Sequence, residues 1–411
     1  MSEQFDVVVV GGGIVGATLA LLLVRSGGFA PQRVCVLERE VARQWQADAP
    51  PDLRVLALSR ASERILAAAG AWQQIAAARV GPYERMHVWH ASAAARGPAA
   101  LQFDAAEIAE PNLGVIVENA LVQSVLQQQL QAQGIALRQS SLAHLQFSAA
   151  ALQLTAGEVN ISTRLLVGAD GARSAVRRLA GLWVDDEDYG QSALVANVRS
   201  ARSHENTAWQ RFLGEGTLAL LPLRSGESSI VWSLPAARAK ALLAMPAPDF
   251  ERALTGDSDE VLGELTLASA RAAFALHRMS ARQYVLERCA LVGDAAHVVH
   301  PLAGQGVNLG LLDAAALAQV LGNGQRERED PGALRLLRKY ERWRKAENET
   351  MSRAFDTFNR LLSTGSDPIA RLAQRGLAMV GSSDVLRRLF MGRALGTSGE
   401  LPAAATYKVM S

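Results

Sequence analysis

Residues 7–24 read VVVVGGGIVGATLALLLV, an uncharged run of 18 residues with three consecutive glycines in its first half. A run of that length could cross a membrane or form the apolar part of a signal peptide. However, an acidic rather than a basic segment precedes it, and consecutive glycines would interrupt a membrane-spanning helix. The run is therefore predicted to form a buried strand at Asp6–Val10, a turn at Gly11–Gly13 and a helix at Ile14–Arg25.

The turn has the spacing GxGxxG, which between a strand and a helix is typical of a site for the pyrophosphate of a dinucleotide. The first glycine permits a tight turn, and the second lets backbone N–H groups approach the phosphates. The third lets the helix pack closely on the strand. Because the spacing alone occurs by chance, the prediction rests on its position between the two elements. The candidate binding residues are Gly11, Gly13, Ile14, Val15 and Gly16.

A second apolar strand is predicted at Arg33–Leu37, and Glu38 follows it, 22 residues after Gly16. A carboxylate at this strand end can accept hydrogen bonds from an adenosine ribose. An acid here favours a free 2′-hydroxyl, and hence FAD or NAD rather than NADP. Arg39 is the neighbouring candidate. The alternative is an ordinary strand–helix–strand unit with a surface glutamate.

Two later stretches repeat the pattern of an apolar strand that ends in an acid. LLVGADGARS at residues 165–174 runs into a Gly-Asp-Gly turn that carries Asp170. The apolar stretch Cys289–Gly293 is followed by Asp294 and then by the glycine-rich HPLAGQGVNLGLLD at His300–Asp313. Two further strand-end acids and a second glycine-rich loop exceed what the NAD-binding half of a dehydrogenase needs.

This combination resembles the class A FAD-dependent aromatic hydroxylases, which have the fold of para-hydroxybenzoate hydroxylase. The run His300–Asp313 resembles the signature of the ring hydroxylases of ubiquinone biosynthesis (UbiH/UbiF/UbiI-like), and the resemblance extends over essentially the whole chain. RVLALS at Arg54–Ser59, MHVW at Met86–Trp89 and IVEN at Ile116–Asn119 are similar to the same subfamily. The resemblance implies an α/β fold with a Rossmann-like FAD-binding domain, an inserted, mostly antiparallel β-sheet substrate domain and a C-terminal helical region.

The resemblance and the predicted elements together suggest that the FAD-binding domain is discontinuous. Predicted strands at Leu218–Leu223 and Ser229–Leu234, separated by glycine-containing turns, fit the antiparallel substrate sheet. Trp209, Phe212 and Trp232 would floor an apolar pocket or, as the alternative, belong to an ordinary sheet core. The expected division is 1–75, 100–182 and 275–330 for the FAD-binding domain, 76–99 and 183–274 for the substrate domain, and 331–411 for the C-terminal helical region.

The resemblance also implies roles for single residues. Asp294 would accept hydrogen bonds from the ribityl hydroxyls of FAD, with a helix N-cap as the alternative. Arg54 would contact the pyrophosphate or be an ordinary surface arginine. Asp170 would lie at the pyrophosphate and nicotinamide side, with Arg173 supporting its turn.

Around the flavin ring, the resemblance implies a close backbone approach by five residues: Gly304, Gln305, Gly306, Val307 and Asn308. A helix that begins near Asn308 would direct its positive end at the flavin N1–C2=O edge. Pro301 is the catalytic candidate, beside the C4a–N5 edge, or else it stiffens the loop. His297 and His300 would relay protons or, as the alternative, hold the loop by hydrogen bonds. The sequence identifies no general base.

The implied chemistry is that of the cofactor. NAD(P)H reduces FAD as a transient reductant, O2 adds to give a C4a-hydroperoxyflavin, and the distal oxygen passes to the ring of a polyprenylated phenol. The sequence has no second nucleotide-binding GxGxxG unit and no Cys/His spacing typical of a metal site. Two alternatives stay open: a flavoprotein reductase of an isoprenoid substrate with the same fold, and a non-catalytic subunit of a biosynthetic complex.

Composition narrows the partners and the location. The 411 residues carry 42 Lys and Arg against 40 Asp and Glu, a net charge of +2, which argues against a nucleic-acid partner. Cys35 and Cys289 adjoin apolar runs and are expected to be buried and reduced, which favours a cytoplasmic location.

The C-terminal segment suggests a second kind of contact. Residues 363–411 contain six basic and three acidic residues, and their apolar residues recur at helical spacing. An amphipathic basic segment suits peripheral contact with the inner face of a membrane or with partners in ubiquinone biosynthesis. The alternative is a helical cap on the FAD-binding domain with a solvated basic face.

Overall fold

The computed structural model describes residues 3–148, 150–299, 305–362, 396 and 399–406. Its strands are β1 (Glu3–Val10), β2 (Val34–Glu38), β3 (Val55–Ser59), β4 (Val80–Tyr83), β5 (Arg85–His90), β6 (Leu101–Asp104), β7 (Gly114–Glu118), β8 (Ala136–Gln139), β9 (Leu142–Phe147), β10 (Leu152–Ala156), β11 (Val159–Gly168), β12 (Val184–Ser200), β13 (Thr207–Leu213), β14 (Gly216–Pro222), β15 (Ser228–Pro235), β16 (Leu265–Leu267), β17 (Ala272–Ala281), β18 (Val285–Leu286), β19 (Cys289–Leu291) and β20 (His297–Val298). Its helices are α1 (Ile14–Arg25), α2 (Arg60–Ala68), α3 (Trp72–Ala77), α4 (Asn119–Ala132), α5 (Ala175–Leu179), α6 (Ala236–Ala244), α7 (Ala247–Asp257), α8 (Gln305–Arg326) and α9 (Leu334–Leu362).

The first sheet has a parallel centre in the order β19-β11-β1-β2-β8. The antiparallel strands β18, β10 and β9 extend it. The valines of β1 are buried because helices cover both faces of a parallel sheet, which explains an apolar run without alternation. The predicted helix Ile14–Arg25 is confirmed at both ends, whereas the second strand begins and ends one residue later than Arg33–Leu37.

The second sheet is almost entirely antiparallel, in the order β20-β17-β12-β15-β14-β13-β5-β6 with β16 beside β12. Only the β5–β13 pair among these strands is parallel. The strands predicted at Leu218–Leu223 and Ser229–Leu234 are confirmed as β14 and β15. A small third sheet, with the strand order β3-β7-β4, packs between the two larger sheets.

One face of the second sheet packs against α6 and α7. Trp209 and Trp232 lie in that core, and the Trp232 ring is 6.2 Å from Phe250 of α7, centroid to centroid. These two tryptophans therefore belong to the sheet core, as the alternative expectation had it. Phe212 is also fully buried, but it is three residues from Trp209 on the same strand and so lies on the opposite face.

The opposite face is turned toward the third sheet. Asn197 Nδ2 on this face donates a hydrogen bond to the carbonyl of Pro51, just before β3, at 3.1 Å. Leu221 packs against Ala57 of β3 and Ile116 of β7. We call this side of the second sheet, which faces the third sheet, the cleft face.

Two long helices complete the described chain. Helix α8 runs beside α1, and α9 packs along α8. Helix α9 lies within the expected C-terminal helical region, and the amphipathic segment of residues 363–411 lies almost wholly outside the described residues. Among the described helices, none has the length and apolarity to span a bilayer.

The sheets do not follow the expected domain boundaries everywhere. Strand β6 and the C-terminal residues of β17 belong to the second sheet, although 100–182 and 275–330 were expected with the FAD-binding domain. Strand β17 pairs with β12, which lies far from it along the chain, and this pair gives no local signal in the sequence. Strand β6 instead pairs with the preceding strand β5, which was expected in the substrate domain.

Candidate cofactor site

The glycine turn after β1 needs glycine at two of its positions. Gly11 has φ +105°, and a Cβ there would lie 2.2 Å from the Ala169 carbonyl oxygen on the neighbouring strand end. A Cβ on Gly16 would lie 1.9 Å from the Gly11 carbonyl oxygen. At Gly13, by contrast, no described atom lies within 4 Å of an added Cβ. The turn thus packs tightly on its inner side and opens onto free space on its outer side.

The Glu38 carboxylate is held at the end of β2, beside this turn. It accepts hydrogen bonds from the backbone N–H of Gly12 at 2.6 Å and from that of Glu40 at 3.0 Å, one on each oxygen. Each carboxylate oxygen has a second lone pair, so the group can still accept from two hydroxyls. Arg39 is exposed and lies 3.5 Å from the exposed Glu40 carboxylate.

Gln127 of α4 supports the turn and was not foreseen. Its Nε2 donates to the Gly12 carbonyl at 2.9 Å, and its Oε1 accepts from the Ala42 N–H at 2.9 Å. The side chain is buried, and both of its hydrogen bonds go to backbone. A contact across 115 positions leaves no pattern in one sequence.

Asp294 and Arg54 come from distant parts of the chain, and their charges are near enough to interact. Asp294 lies in the short 3-10 turn Gly293–Ala295, so it is not the N-cap of α8, which is described from Gln305. Desolvation by the surrounding protein raises the pKa of its carboxyl, and His297, Arg54 and His277 oppose this shift. The residue nevertheless has an exposed surface.

Asp170 shapes its own turn. Its carboxylate accepts from Ser174 Oγ at 2.5 Å and from the N–H groups of Ala175 and Val176 at 2.6 and 3.2 Å, at the start of α5. These contacts hold the Asp170 carboxylate at the N-terminus of this short helix, beside the N-cap Ser174.

The arginine that supports this region is Arg177, whereas the expected Arg173 is exposed. Arg177 donates to the carbonyl of Ala172 at 2.6 Å and to that of Ala295 at 2.8 Å. It therefore joins the turn after β11 to the turn that carries Asp294. The sequence shows several arginines here but does not tell which one points inward.

The beginning of α8 differs from expectation. The residues from Gln305 to Asn308 are helical, whereas a helix was expected to begin near Asn308. Asn308 is buried, and its Oδ1 accepts from the Ser59 N–H at 3.0 Å and from Ser62 Oγ at 2.6 Å. Its Nδ2 donates to the Ala57 carbonyl at 2.9 Å. The side chain thus fastens the first turn of α8 to β3 and α2.

Close packing brings the starts of α1 and α8 together. Val15 in the first turn of α1 lies beside Gly310 of α8 and Gly293 of the Asp294 turn. At Gly306, as at Gly13, no described atom lies within 4 Å of an added Cβ. Pro301, Gly304 and His300 lie outside the described residues.

His297 points to a buried carboxylate. Its Nε2 lies 2.5 Å from Oδ2 of Asp313 in α8, and both side chains are buried. Burial would raise the pKa of the Asp313 carboxyl, but His297 and Arg344 outweigh it and lower this pKa to about 2. The contact supports the alternative expectation for His297, which holds the loop by a hydrogen bond.

The site fits an extended dinucleotide. Val15 of the first turn of α1, Gly293 of the Asp294 turn and Gly310 of α8 are in contact, so the glycine turn, Asp294 and the N-terminal part of α8 lie together. The N-terminal end of a helix such as α1 suits an anionic group, because its first N–H groups have no partner within the helix. Because no described atom lies opposite Gly13 and Gly306, a ligand can approach the protein backbone closely at these two positions.

Comparison with known proteins agrees with this geometry. Residues 4–354 match the FAD binding domain family. The chain is 38% identical over 399 residues to 3-demethoxyubiquinol 3-hydroxylase from Escherichia coli (strain K12), which covers 96% of this chain and 99% of that protein. It is 36% identical over 396 residues to ubiquinone hydroxylase UbiL from Rhodospirillum rubrum, covering 95% and 90% of the two chains. It therefore belongs to the FAD binding domain family, in the group of ubiquinone-biosynthesis hydroxylases that these relatives represent.

Two further comparisons concern a distant relative and the fold. The human ubiquinone biosynthesis monooxygenase COQ6, mitochondrial, is 32% identical over 437 residues and covers 95% of this chain and 92% of its own. The crystal structure of p-nitrophenol 4-monooxygenase PnpA from Pseudomonas putida DLL-E4 superposes with a TM-score of 0.77 at 19% identity, over 97% of this chain and 100% of that one. The predicted fold class is confirmed.

Proposed function

We propose that this chain is an FAD-dependent monooxygenase that uses NAD(P)H and O2 to hydroxylate the ring of a polyprenylated phenol in ubiquinone biosynthesis. The observation that carries the proposal is that the glycine turn with Glu38, the Asp294 turn and the N-terminal part of α8 lie together, where Val15, Gly293 and Gly310 are in contact. The named relatives act on ubiquinone precursors or bear ubiquinone in their names, which supports the substrate class.

The cofactor placement follows from the chemistry of each group. Glu38 would accept from the adenosine ribose, and the turn from Gly11 to Gly16 would donate N–H groups to the pyrophosphate. Asp294 would accept from ribityl hydroxyls, with Arg54 available to the pyrophosphate. The start of α8 would place its positive end near the flavin N1–C2=O edge.

When bound, FAD supplies the activation of O2 and the transfer of oxygen. The chain's own tasks are to orient the ring of the phenol and to keep water from the reacting atoms. A phenol with a prenyl chain needs an apolar wall, and the second sheet offers one on its cleft face. Ala193 and Phe274 lie opposite each other there, on the same face as Asn197.

Phe274 is the side chain of this wall that most needs an explanation. It is 54% exposed, although it is a large apolar group, and it lies on β17 opposite Ala193 of β12. Ala193 is buried, so the exposed aromatic ring is the part of this pair that a ligand can reach. We assign Phe274 to contact with the substrate.

The parts of the chain that carry the first and third sheets are proposed to bind FAD, and the second sheet to bind the phenol. We also propose peripheral contact with a membrane or a biosynthetic complex, because a polyprenylated substrate partitions into lipid. Most of the residues expected to make that contact, 363–411, lie outside the described part of the chain.

The test is a spectrum followed by turnover. Purified protein is titrated with FAD, reduced with NADPH without oxygen, and then exposed to air with a short-chain prenylated phenol. The proposal expects bound flavin whose absorption is lost on reduction and returns in air, and a product heavier by one oxygen atom. Bound flavin with oxygen-independent reduction of the prenyl chain would favour the reductase, and failure to bind FAD would favour the non-catalytic subunit.

A further inference from the structure

Four buried polar side chains form a network behind the turn that carries Asp294. Asp313 Oδ2 accepts from the Gly293 N–H at 3.1 Å and from His297 Nε2 at 2.5 Å. Its Oδ1 accepts from Arg344 Nε at 2.8 Å and from Asn348 Nδ2 at 3.0 Å. Arg344 also donates to Asn348 Oδ1 at 2.7 Å. All four side chains are buried, and the Asp313 residue has no exposed surface.

The network joins three elements that the chain order keeps apart. Gly293 and His297 flank Asp294 on either side, Asp313 lies in α8, and Arg344 and Asn348 lie in α9. Oδ2 of Asp313 accepts hydrogen bonds from the residues that flank Asp294, and Oδ1 accepts them from α9, so this one carboxylate connects the turn to α9. The negative charge of Asp313 is balanced by Arg344 among buried side chains, which makes the arrangement costly to break.

The geometry also sets the direction of the hydrogen bond between His297 and Asp313. An ionised carboxylate can only accept, so His297 Nε2 carries a hydrogen and donates to Asp313. The ring is stacked on Tyr284 at 5.9 Å between centroids, which restrains its rotation. With Gly293 held on one side and His297 on the other, the backbone between them has little freedom.

We propose that Asp313 is a positioning residue of the cofactor site: it holds Gly293 and His297 so that Asp294 faces the cleft, and it ties this turn to α9 through Arg344 and Asn348. The inference rests on the proposed placement of FAD beside Asp294. It makes α9, which was expected to lie outside the FAD-binding domain, a structural part of the cofactor site.

The test compares FAD affinity in five variants of the full chain. Asp313→Asn keeps the shape but cannot accept all four hydrogen bonds, and we expect the FAD dissociation constant to rise at least tenfold. Asp330→Asn is the matched control, because Asp330 is also paired with arginines, at 2.8 Å from Arg288 and 3.3 Å from Arg164. We expect that control to bind FAD within twofold of the wild type.

A pair of His297 variants separates positioning from general stability. His297→Ala removes the donor to Asp313, whereas His297→Gln places an amide N–H near the position of Nε2. We expect FAD binding to weaken in the alanine variant and to return to within about threefold of the wild type in the glutamine variant. If Asp313→Asn does not fold, this pair decides the question.

The flavin midpoint potential is the second readout. With the charge of Asp313 removed, that of Arg344 is no longer balanced, so the reduced flavin should be favoured and the potential should become more positive. A folded Asp313→Asn protein with wild-type affinity and potential overturns the inference. Asp294→Ala tests the proposed placement of FAD, because unchanged FAD affinity of this variant rejects the placement. If Asp294→Ala weakens FAD binding but Asp313→Asn binds FAD as the wild type does, only the inference about Asp313 is rejected.

Discussion

Val15 and Gly310 are so close that residue 310 cannot carry a side chain without movement. A Cβ on Gly310 would lie 2.7 Å from Val15 Cγ2 and 3.2 Å from Gly293 Cα. The start of α1 therefore contacts α8 directly at Gly310, and both helices contact Gly293 of the Asp294 turn. The two helices approach this closely, and present one surface for the proposed cofactor, only because residues 293 and 310 are glycines.

Replacement of Gly310 should separate the two helix starts. We expect Gly310→Ala to lower the free energy of unfolding by about 1–3 kcal/mol through overpacking and to weaken FAD binding as well. Gly256→Ala is the control, because α7 has no described atom within 4 Å of an added Cβ at that position. Urea unfolding and FAD titration measure the two effects, and a Gly310→Ala protein as stable as wild type would contradict the packing.

Two variants of the glycine turn can distinguish an effect on the stability of the apo protein from an effect on FAD binding. Gly13→Ala meets no described atom, and its φ of −69° suits alanine, so the stability of the apo protein should change by less than about 0.5 kcal/mol. FAD binding should nevertheless fall at least tenfold, because the methyl group enters the space proposed for the pyrophosphate. Gly16→Ala should instead destabilise the apo protein, since its Cβ collides with the Gly11 carbonyl. Equal FAD affinity of Gly13→Ala and wild type would place the pyrophosphate elsewhere.

Replacement of Phe274 should weaken the binding of the phenol without changing the affinity for FAD. We expect Phe274→Ala to raise the KM for a prenylated phenol about tenfold, as the loss of one aromatic contact of about 1–2 kcal/mol would do, with unchanged FAD affinity. Phe147→Ala is the matched control, because Phe147 is 42% exposed on β9 of the first sheet. Steady-state kinetics with both variants checks this, and an equal KM for Phe274→Ala and wild type would remove Phe274 from the substrate wall.

The Asp313 network predicts a particular response to acid. The folded-state pKa of the Asp313 carboxyl is about 2, below its ordinary value of 3.8. Its contribution is therefore fully present above about pH 4 and is lost as the pH falls from there toward 2, with a size of about 2 kcal/mol. The stability difference between wild type and Asp313→Asn, from urea unfolding, should shrink over this interval. A difference that stays constant from pH 5 to pH 2.5 would show that folding does not lower the pKa of this carboxyl.

The glycine turn and Glu38 show how much of the site is readable from the sequence. Local geometry imposes the turn: a positive φ at Gly11 and a close strand–helix approach at Gly16 are requirements within one strand–turn–helix unit. The same holds for the alternating strands β14 and β15. The helix expected near Asn308 was predicted three residues late, because its first turn is fixed by Asn308 contacts to Ser59, 249 positions away.

The sequence by itself determined the fold class, the first strand–turn–helix unit, the acids at the strand ends and the family, since each depends on neighbours in the chain or on a compact motif. Only the tertiary structure decided that Gln127 and Arg177 support the turns and that Asp313 joins Asp294 to α9. Only the tertiary structure showed that Trp209 and Trp232 face away from the cleft whereas Phe274 faces it. These outcomes depend on which strands pair and which helices pack together. A polar side chain can satisfy its hydrogen bonds with any suitable partner that packing brings near, so one sequence alone does not choose the partner.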